Sequence, residues 1–327
     1  MHSPLRGFAI ALLILWVGLC IAAAVYSQQK DIPWWVTAAV VPAFLVEGGL
    51  YLASGLAATR SQLERSISPR GIALIMTISA AVPYCVYSAG TGVFRMQSLA
   101  ALLALAAVAA FWYVVIPRHG LADFLFLVLL AAVVLLKLFP RIYLRPTPAV
   151  DVSILGMAMW IRIGLIAILS IRRMDGIGFG FVPRRSDWLI GLRHYFYFLP
   201  IGLILATTLG VARTGETELS RQTAALSVLS FFAVLWVLAL SEEFFFRGLV
   251  QQLLRKQFGS EFLAILIGAI VFGLAHLPFR GFPNWRFALL AAVAGLFYGR
   301  AFSQAGSVRA SMVTHALVVT TWQVFLL

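Results

Sequence analysis

Apolar runs of about 20 residues recur along the whole chain, and each is long enough to cross a hydrocarbon core of about 30 Å as a helix. Short stretches rich in charge, Pro and Gly separate these runs. Of the 327 residues, 62% are hydrophobic and 11% are charged, and the mean hydropathy is +0.96. A soluble domain carries about 25% charged residues, so a water-soluble fold is excluded. The pattern predicts an all-α, polytopic transmembrane helical bundle.

We predict about eleven membrane spans from the lengths of the apolar runs. The predicted spans are residues 7–26, 35–58, 71–93, 98–116, 121–139, 150–171, 190–212, 223–257, 261–277, 286–302 and 308–326. The first run is long and no small-residue cleavage site precedes the polar stretch that follows it. It is therefore interpreted as a retained span rather than as a signal peptide.

The formal net charge of +13 is distributed over short basic clusters between the apolar runs. Arg60, Arg65 and Arg70 form one cluster, and residues 172–185 hold another. Such clusters are typical of cytoplasmic loops, so they indicate membrane topology and not nucleic-acid binding. They predict a cytoplasmic N-terminus in an integral, multi-pass protein of a bacterial-type plasma membrane.

Residues 174–188 are rich in Gly and charge and form the best boundary between two halves. We predict an N-terminal transmembrane module of unknown role at residues 1–175 and a second domain at residues 176–327.

The first half contains isolated charged residues near or within the predicted spans, and none of them belongs to a motif. We expect these residues to pair with one another or to reach the membrane interface. They are Glu47, Asp123, Asp151 and Arg162.

Two adjacent acids, Glu242 and Glu243, follow directly on the apolar run 226–240. A carboxylate in mid-bilayer costs about 2.5 kcal/mol or more, so two together require a partner or a water-filled cavity. Arg247 lies four residues after Glu243, the spacing that brings an acid and a base together on a helix. Glu242 points about 100° away and lacks that partner. We therefore predict Glu242 to be a general base.

A helical hairpin is predicted to turn near Gly259. Glu242 lies 17 residues before this position and His276 lies 17 residues after it. At a rise of about 1.5 Å per residue, both residues are about 25 Å from the turn and therefore lie at the same depth in the membrane. An acid and an imidazole at matching depth on adjacent helices can activate one water molecule.

The last predicted helix directs His315 to the bundle interior, where its imidazole can donate a hydrogen bond to a developing oxyanion. The preceding helix carries Gly295 and Gly299 in GxxxG spacing, which predicts close helix packing and no chemistry. A buried acid–arginine pair can also act only as a brace, and a lone histidine is more often structural. The combination of these groups favours function.

These residues resemble the motifs of the CPBP or Abi family, which contains CAAX-processing and bacteriocin-processing intramembrane proteases and the type II CAAX prenyl endopeptidases. The family motif EExxxR matches Glu242, Glu243 and Arg247. The motif FxxxH matches Phe272 and His276, and the histidine of the third motif matches His315. The resemblance begins near residue 176 and extends to the C-terminus.

The resemblance implies an intramembrane glutamic endopeptidase whose catalytic residues are Glu242, Glu243, Arg247, His276 and His315. Glu242 and His276 would activate the water that attacks a peptide carbonyl, Glu243 and Arg247 would fix the site, and His315 would stabilise the oxyanion. The implied partners are the lipid bilayer and a membrane-anchored protein or peptide substrate.

The chain departs from the family at the third motif, because Val319 stands where Asn or Asp usually follows the histidine by four residues. This departure places the oxyanion hole in question. Thr320, Gln323 and Asn284 are candidate substitute donors, and the sequence does not choose among them.

Two alternatives accompany the protease interpretation. Glu242, His276 and His315 would supply the three ligands of a catalytic zinc site, although no HExxH motif is present, so metal-free chemistry is favoured. The second alternative is a non-catalytic membrane protein of the same fold, such as an immunity factor, a scaffold or a pseudoprotease. Val319 is its main support.

Overall fold

A computed structural model describes residues 4–212, 221–279 and 281–326, and these residues are mostly helical, without any strand among them. The predicted all-α helical bundle is confirmed. The chain divides into two compact units, Met1–Met174 and Asp175–Leu327.

From residue 4 onward, the first unit forms eight α-helices joined by short connections. They are α1 Pro4–Gln29, α2 Trp34–Gly55, α3 Ala57–Ser66, α4 Pro69–Thr91, α5 Met96–Val115, α6 Gly120–Leu135, α7 Leu138–Ile142 and α8 Ser153–Ile166. A π-helical turn, Ala167–Arg172, continues α8. Helix α2 packs against α4 and α8, and α4 packs against α5.

The isolated charges of the first half form ion pairs, as expected. Arg162 is fully buried and donates from Nε to Glu47 Oε1 at 2.7 Å. Asp123 accepts two hydrogen bonds from Arg172 at 2.8 and 2.9 Å, and Asp151 pairs with Arg145 near the surface. Each carboxylate within this unit's apolar helices therefore has a cationic partner, as burial in an apolar medium requires.

The described residues of the second unit form seven α-helices, and π-helical turns lie on both sides of the helix that contains Glu242 and Glu243. They are α9 Arg185–Thr208, α10 Arg221–Ala233, α11 Leu240–Glu243, α12 Gln252–Phe258, α13 Glu261–Ala275, α14 Trp285–Ala305 and α15 Val308–Phe325. The π-helical segments are Val234–Ala239, between α10 and α11, and Phe244–Gln251, between α11 and α12. Helix α14 packs against α9, α13 and α15, and α15 also packs against α9.

Local caps explain the predicted hairpin between α12 and α13. Gly259 ends α12 in the left-handed region at φ 64°, which favours glycine. Ser260 then begins α13, and its hydroxyl accepts a hydrogen bond from the backbone N–H of Leu263. The hairpin places the ends of α11 and α13 beside each other.

Seven helices among the described residues are long and apolar enough to cross a membrane. They are Arg6–Gln29, Trp34–Gly55, Pro69–Thr91, Met96–Val115, Ser153–Arg172, Arg185–Thr208 and Trp285–Ala305. The apolar helices α6 and α13 are shorter, with 16 and 15 residues. A multi-pass membrane protein is confirmed, and the count of eleven spans stays a prediction.

Candidate active site

The two adjacent acids lie in a single α-helical turn between two π-helical segments. Glu242 and Glu243 end α11, and the backbone continues in the wider π-helical turn of Phe244–Gln251. Such turns are uncommon and occur frequently at functional sites. The two carboxylates have different surroundings, because the Glu243 side chain is fully buried whereas 24% of the Glu242 side chain is exposed.

Glu243 connects three elements of the second unit. Its Oε2 lies 3.2 Å from Arg247 Nε, which is the pair that the i,i+4 spacing predicts. Its Oε1 accepts a hydrogen bond of 2.8 Å from His315 Nδ1 on α15. The sequence analysis did not predict this second contact, which bridges 72 residues of chain.

Arg247 is enclosed by α13 and α14. Its Nη2 donates to the Gly295 carbonyl at 3.2 Å. Its guanidinium carbon lies 4.6 Å from the centroid of the Phe272 ring and 5.3 Å from that of Tyr298. A guanidinium at these distances from aromatic faces is stabilised by cation–π attraction. The centroid of the Phe246 ring lies 5.8 Å away, so the buried cation has a carboxylate, a carbonyl and three rings as partners.

Glu242 faces two imidazoles at equal distance. Its Oε2 is 3.9 Å from His276 Nε2 and 3.9 Å from His315 Nε2. These separations exceed a direct hydrogen bond. Oε2 is buried and has no hydrogen-bond partner among the residues that the structure describes. Glu242 is therefore close to two imidazole nitrogens, whereas Glu243 binds Arg247 and His315 directly.

The hydrogen bonds of both histidines orient the same ring nitrogen toward Glu242. His276 Nδ1 lies 2.8 Å from the Phe272 carbonyl oxygen, and His315 Nδ1 lies 2.8 Å from Glu243 Oε1. A carbonyl and a carboxylate oxygen only accept, so each Nδ1 carries the proton and donates it. Each Nε2 is then the nitrogen available to a substrate or a water molecule at Glu242.

Residues 224–321 match the family model described as type II CAAX prenyl endopeptidase, Rce1-like. This segment is Rce1-like. The match contains all five predicted site residues and confirms the resemblance to the CPBP or Abi family. It covers less than a third of the 327 residues, and no curated protein and no solved structure matches the chain.

Three residues of the Rce1-like segment form the candidate metal-binding set, Glu242, His276 and His315. Tetrahedral zinc with bonds of about 2.0–2.1 Å holds its ligand atoms about 3.3 Å apart. The separations of 3.9 Å are longer, and no group of three or more described His, Cys, Asp and Glu side chains has a geometry that could hold a metal ion. The absence of a metal from the mechanism stays a prediction, and we derive no step through one.

Val319 lies one helical turn beyond His315 and is half-buried. Of the proposed substitute donors, Asn284 is engaged in the loop before α14, because its amide donates to the Phe279 carbonyl and its oxygen accepts from Phe287 N–H. Gln323 accepts a hydrogen bond from Ser230. The buried Thr320 hydroxyl has no hydrogen-bond partner within the described ranges.

The glycines of the Rce1-like segment permit close packing of α14 against α13, as their spacing predicts. A Cβ atom at Gly295 would lie 3.1 Å from Ala269 Cα, and one at Gly299 would lie 3.1 Å from Ile265 Cγ2. The carbonyls of the same glycines accept hydrogen bonds from Arg247 and from Gln251. The two glycines therefore also provide carbonyl hydrogen-bond acceptors for side chains of the segment that carries Glu242 and Glu243.

Tyr298 is a site residue that the sequence analysis missed. Its buried ring stacks on the His315 imidazole, with centroids 4.6 Å apart and planes at 16°. Aromatic residues are common in membrane helices, and no motif distinguished this one. We expect this parallel stack to limit rotation of the imidazole next to Glu242.

Proposed function

We propose that the protein is an intramembrane endopeptidase that hydrolyses a peptide bond of a membrane-anchored protein or peptide with water activated by Glu242. The observation that carries this proposal is the position of Glu242 Oε2, 3.9 Å from the Nε2 atoms of two imidazoles. The Rce1-like match supports a protease, because that family is named for its endopeptidases.

Glu242 is proposed to act as the general base. Its carboxylate removes a proton from a water molecule while the water oxygen forms a bond to the carbonyl carbon of the substrate. The carbon–nitrogen bond then breaks, and the proton moves from Glu242 to the leaving amine. His276 Nε2 would accept a hydrogen bond from the same water and orient it, because its Nδ1–H is held by the Phe272 carbonyl.

His315 is proposed to stabilise the oxyanion. Donation from Nε2 requires the imidazolium form, because Nδ1 already carries the proton that Glu243 accepts. Two carboxylates, Glu242 and Glu243, and the Arg247 guanidinium surround this imidazole.

The alternative is a non-catalytic protein of the same fold, and Val319 favours it because the usual donor after His315 is missing. A structural brace accounts for Glu243, which binds both Arg247 and His315. It does not account for Glu242, which is partly exposed and lies 3.9 Å from the Nε2 atoms of His276 and His315. We therefore favour hydrolysis.

The test uses the purified full-length protein in nanodiscs with a library of membrane-anchored peptides in water enriched in oxygen-18. Hydrolysis places one heavy oxygen in the new carboxyl terminus of the product, which mass spectrometry detects. We expect labelled products from the wild type with and without a chelator. We expect none from Glu242→Gln.

Glu261→Gln is the matched control, because Glu261 lies on α13 in an exposed ion pair with Arg300 and is outside the site. It should cleave like the wild type. Equal cleavage by Glu242→Gln would contradict the proposed base, and loss of wild-type cleavage on chelation would contradict the metal-free mechanism.

A further inference from the structure

We propose that a pocket at the start of α14 binds a carboxylate group of the peptide substrate, beside the site of hydrolysis. This inference rests on the proposed function, since it assigns a binding subsite for the same substrate. The pocket has a volume of about 270 Å³. It is lined by Gly210, Val211, Asn284, Arg286, Phe287 and Trp322.

Arg286 gives the pocket a positive charge. Its Nη1 is only 3.9 Å from where a Cβ atom of Gly210 would lie, which places the guanidinium against the opposite wall. No described carboxylate forms an ion pair with Arg286, whereas Arg300 on the same helix is neutralised by Glu261. A guanidinium presents a planar set of N–H donors that matches the two oxygens of a carboxylate.

Trp322 forms part of the pocket wall. Its indole Nε1 is buried and is not in contact with the cavity. The positive charge of the pocket therefore comes from Arg286, which favours an anionic group over a neutral or cationic one.

The pocket is next to the proposed catalytic groups. Phe287 lines it, and the Phe287 ring centroid is 5.8 Å from the His276 ring and 6.0 Å from the Trp322 ring. Trp322 follows His315 by seven residues, two helical turns, so both side chains lie on one face of α15. Phe287 therefore lies between His276 and the Trp322 wall of the pocket.

Two sources can supply the carboxylate, namely the C-terminus of the substrate or an acidic side chain near the scissile bond. Binding is measured with the Glu242→Gln protein in nanodiscs, so that bound peptides stay intact. The ligands are fluorescent membrane-anchored peptides in matched forms: free acid, C-terminal carboxamide, and carboxamide with one internal aspartate. We expect a form with a carboxylate to bind at least about tenfold more tightly than the plain carboxamide.

Arg286→Gln, added to Glu242→Gln, should reduce that preference, because it removes the cation that the carboxylate binds. Arg300→Gln is the matched control and should preserve the preference. Equal binding of all three peptides by the Glu242→Gln protein would overturn the inference, as would a preference that survives Arg286→Gln.

Failure of the inference is distinguishable from failure of the proposed function. If the wild type cleaves acids and carboxamides equally well, the peptidase stands and the carboxylate subsite is refuted. A carboxylate preference that depends on Arg286 in the binding measurement supports the subsite, even if no peptide is cleaved.

Discussion

Glu242 and Glu243 are adjacent in the chain but have different contacts and different exposure in the structure. Glu243 is fully buried between Arg247 and His315, whereas Glu242 is partly exposed and faces the Nε2 atoms of two histidines. The difference arises because consecutive helical residues point about 100° apart. The geometry thus separates a bracing carboxylate from a carboxylate that can accept a proton.

Tyr298 should affect turnover through the orientation of His315. Tyr298→Phe keeps the stacked ring, so its kcat should stay within a few-fold of the wild type. Tyr298→Leu removes the stack and lets the imidazole rotate, and a misplaced catalytic group costs about 10²-fold in rate. Steady-state kinetics should show the loss in kcat with little change in KM. Equal kcat values for the two variants would show that the stacked ring does not position His315.

Part of the site was predictable from spacing within one helix or one hairpin. The Glu243–Arg247 pair follows from i,i+4 geometry, and the approach of Glu242 to His276 follows from their equal distance to Gly259. The contact between Glu243 and His315 joins helices that are distant in sequence. This contact forms only if α15 turns the His315 face toward α11, and no local pattern in the sequence predicts the orientation of one helix relative to the other.

At the level of helices, π-helical turns interrupt the segment that carries Glu242 and Glu243, and the helices α13 and α14 beside it are tightly packed. The predicted span 223–257 is α10, α11 and α12 with two π-helical segments between them. Residues 231–240 are all apolar, so periodicity could not locate the first of these π-helical turns. The close approach of α13 and α14 was predictable from Gly295 and Gly299, because small residues four apart mark such contacts.

Substitution of Gly273 tests the close packing of α13 against α14. A Cβ atom there would lie 2.5 Å from the Ala288 carbonyl oxygen and 2.7 Å from Ala292 Cβ, so Gly273→Ala should force α13 and α14 apart. Overpacking of this kind costs about 1–3 kcal/mol. Gly268→Ala is the control on the same helix, since its Cβ would have only Gln251 Cβ nearby, at 3.8 Å.

Thermal unfolding in nanodiscs, followed by tryptophan fluorescence, should show a lower Tm for Gly273→Ala than for Gly268→Ala. Identical Tm values for the two variants would mean that the helix contact at Gly273 is looser than the structure indicates.

For the whole molecule, composition established the membrane class and the helical fold, and basic clusters predict the topology. The number of spans could not be predicted as well, because α6 and α13 are shorter than a typical span and each is apolar beyond its first turn. Apolar length alone does not distinguish a complete span from a helix that enters the bundle partway.

Cysteine labelling tests the topology. Cys20 and Cys85 are the two native cysteines and are first replaced by serine. Gln62→Cys lies in the basic connection between α2 and α4, and Gln97→Cys lies in the first turn of α5. A membrane-impermeant maleimide added to intact cells should label position 97 and leave position 62 unlabelled until the cells are opened. The reverse pattern would contradict a cytoplasmic N-terminus.

The most direct test of the central claim compares two glutamates in one experiment, with turnover and Tm measured for each variant. Glu242→Gln should lose about 10²–10⁴-fold in turnover while it keeps the wild-type Tm, because it removes a general base and no bracing contact. Glu243→Gln should lower the Tm, because it leaves Arg247 buried without its carboxylate, a loss of about 3–5 kcal/mol. Wild-type turnover in Glu242→Gln, or its unfolding together with Glu243→Gln, would contradict the account.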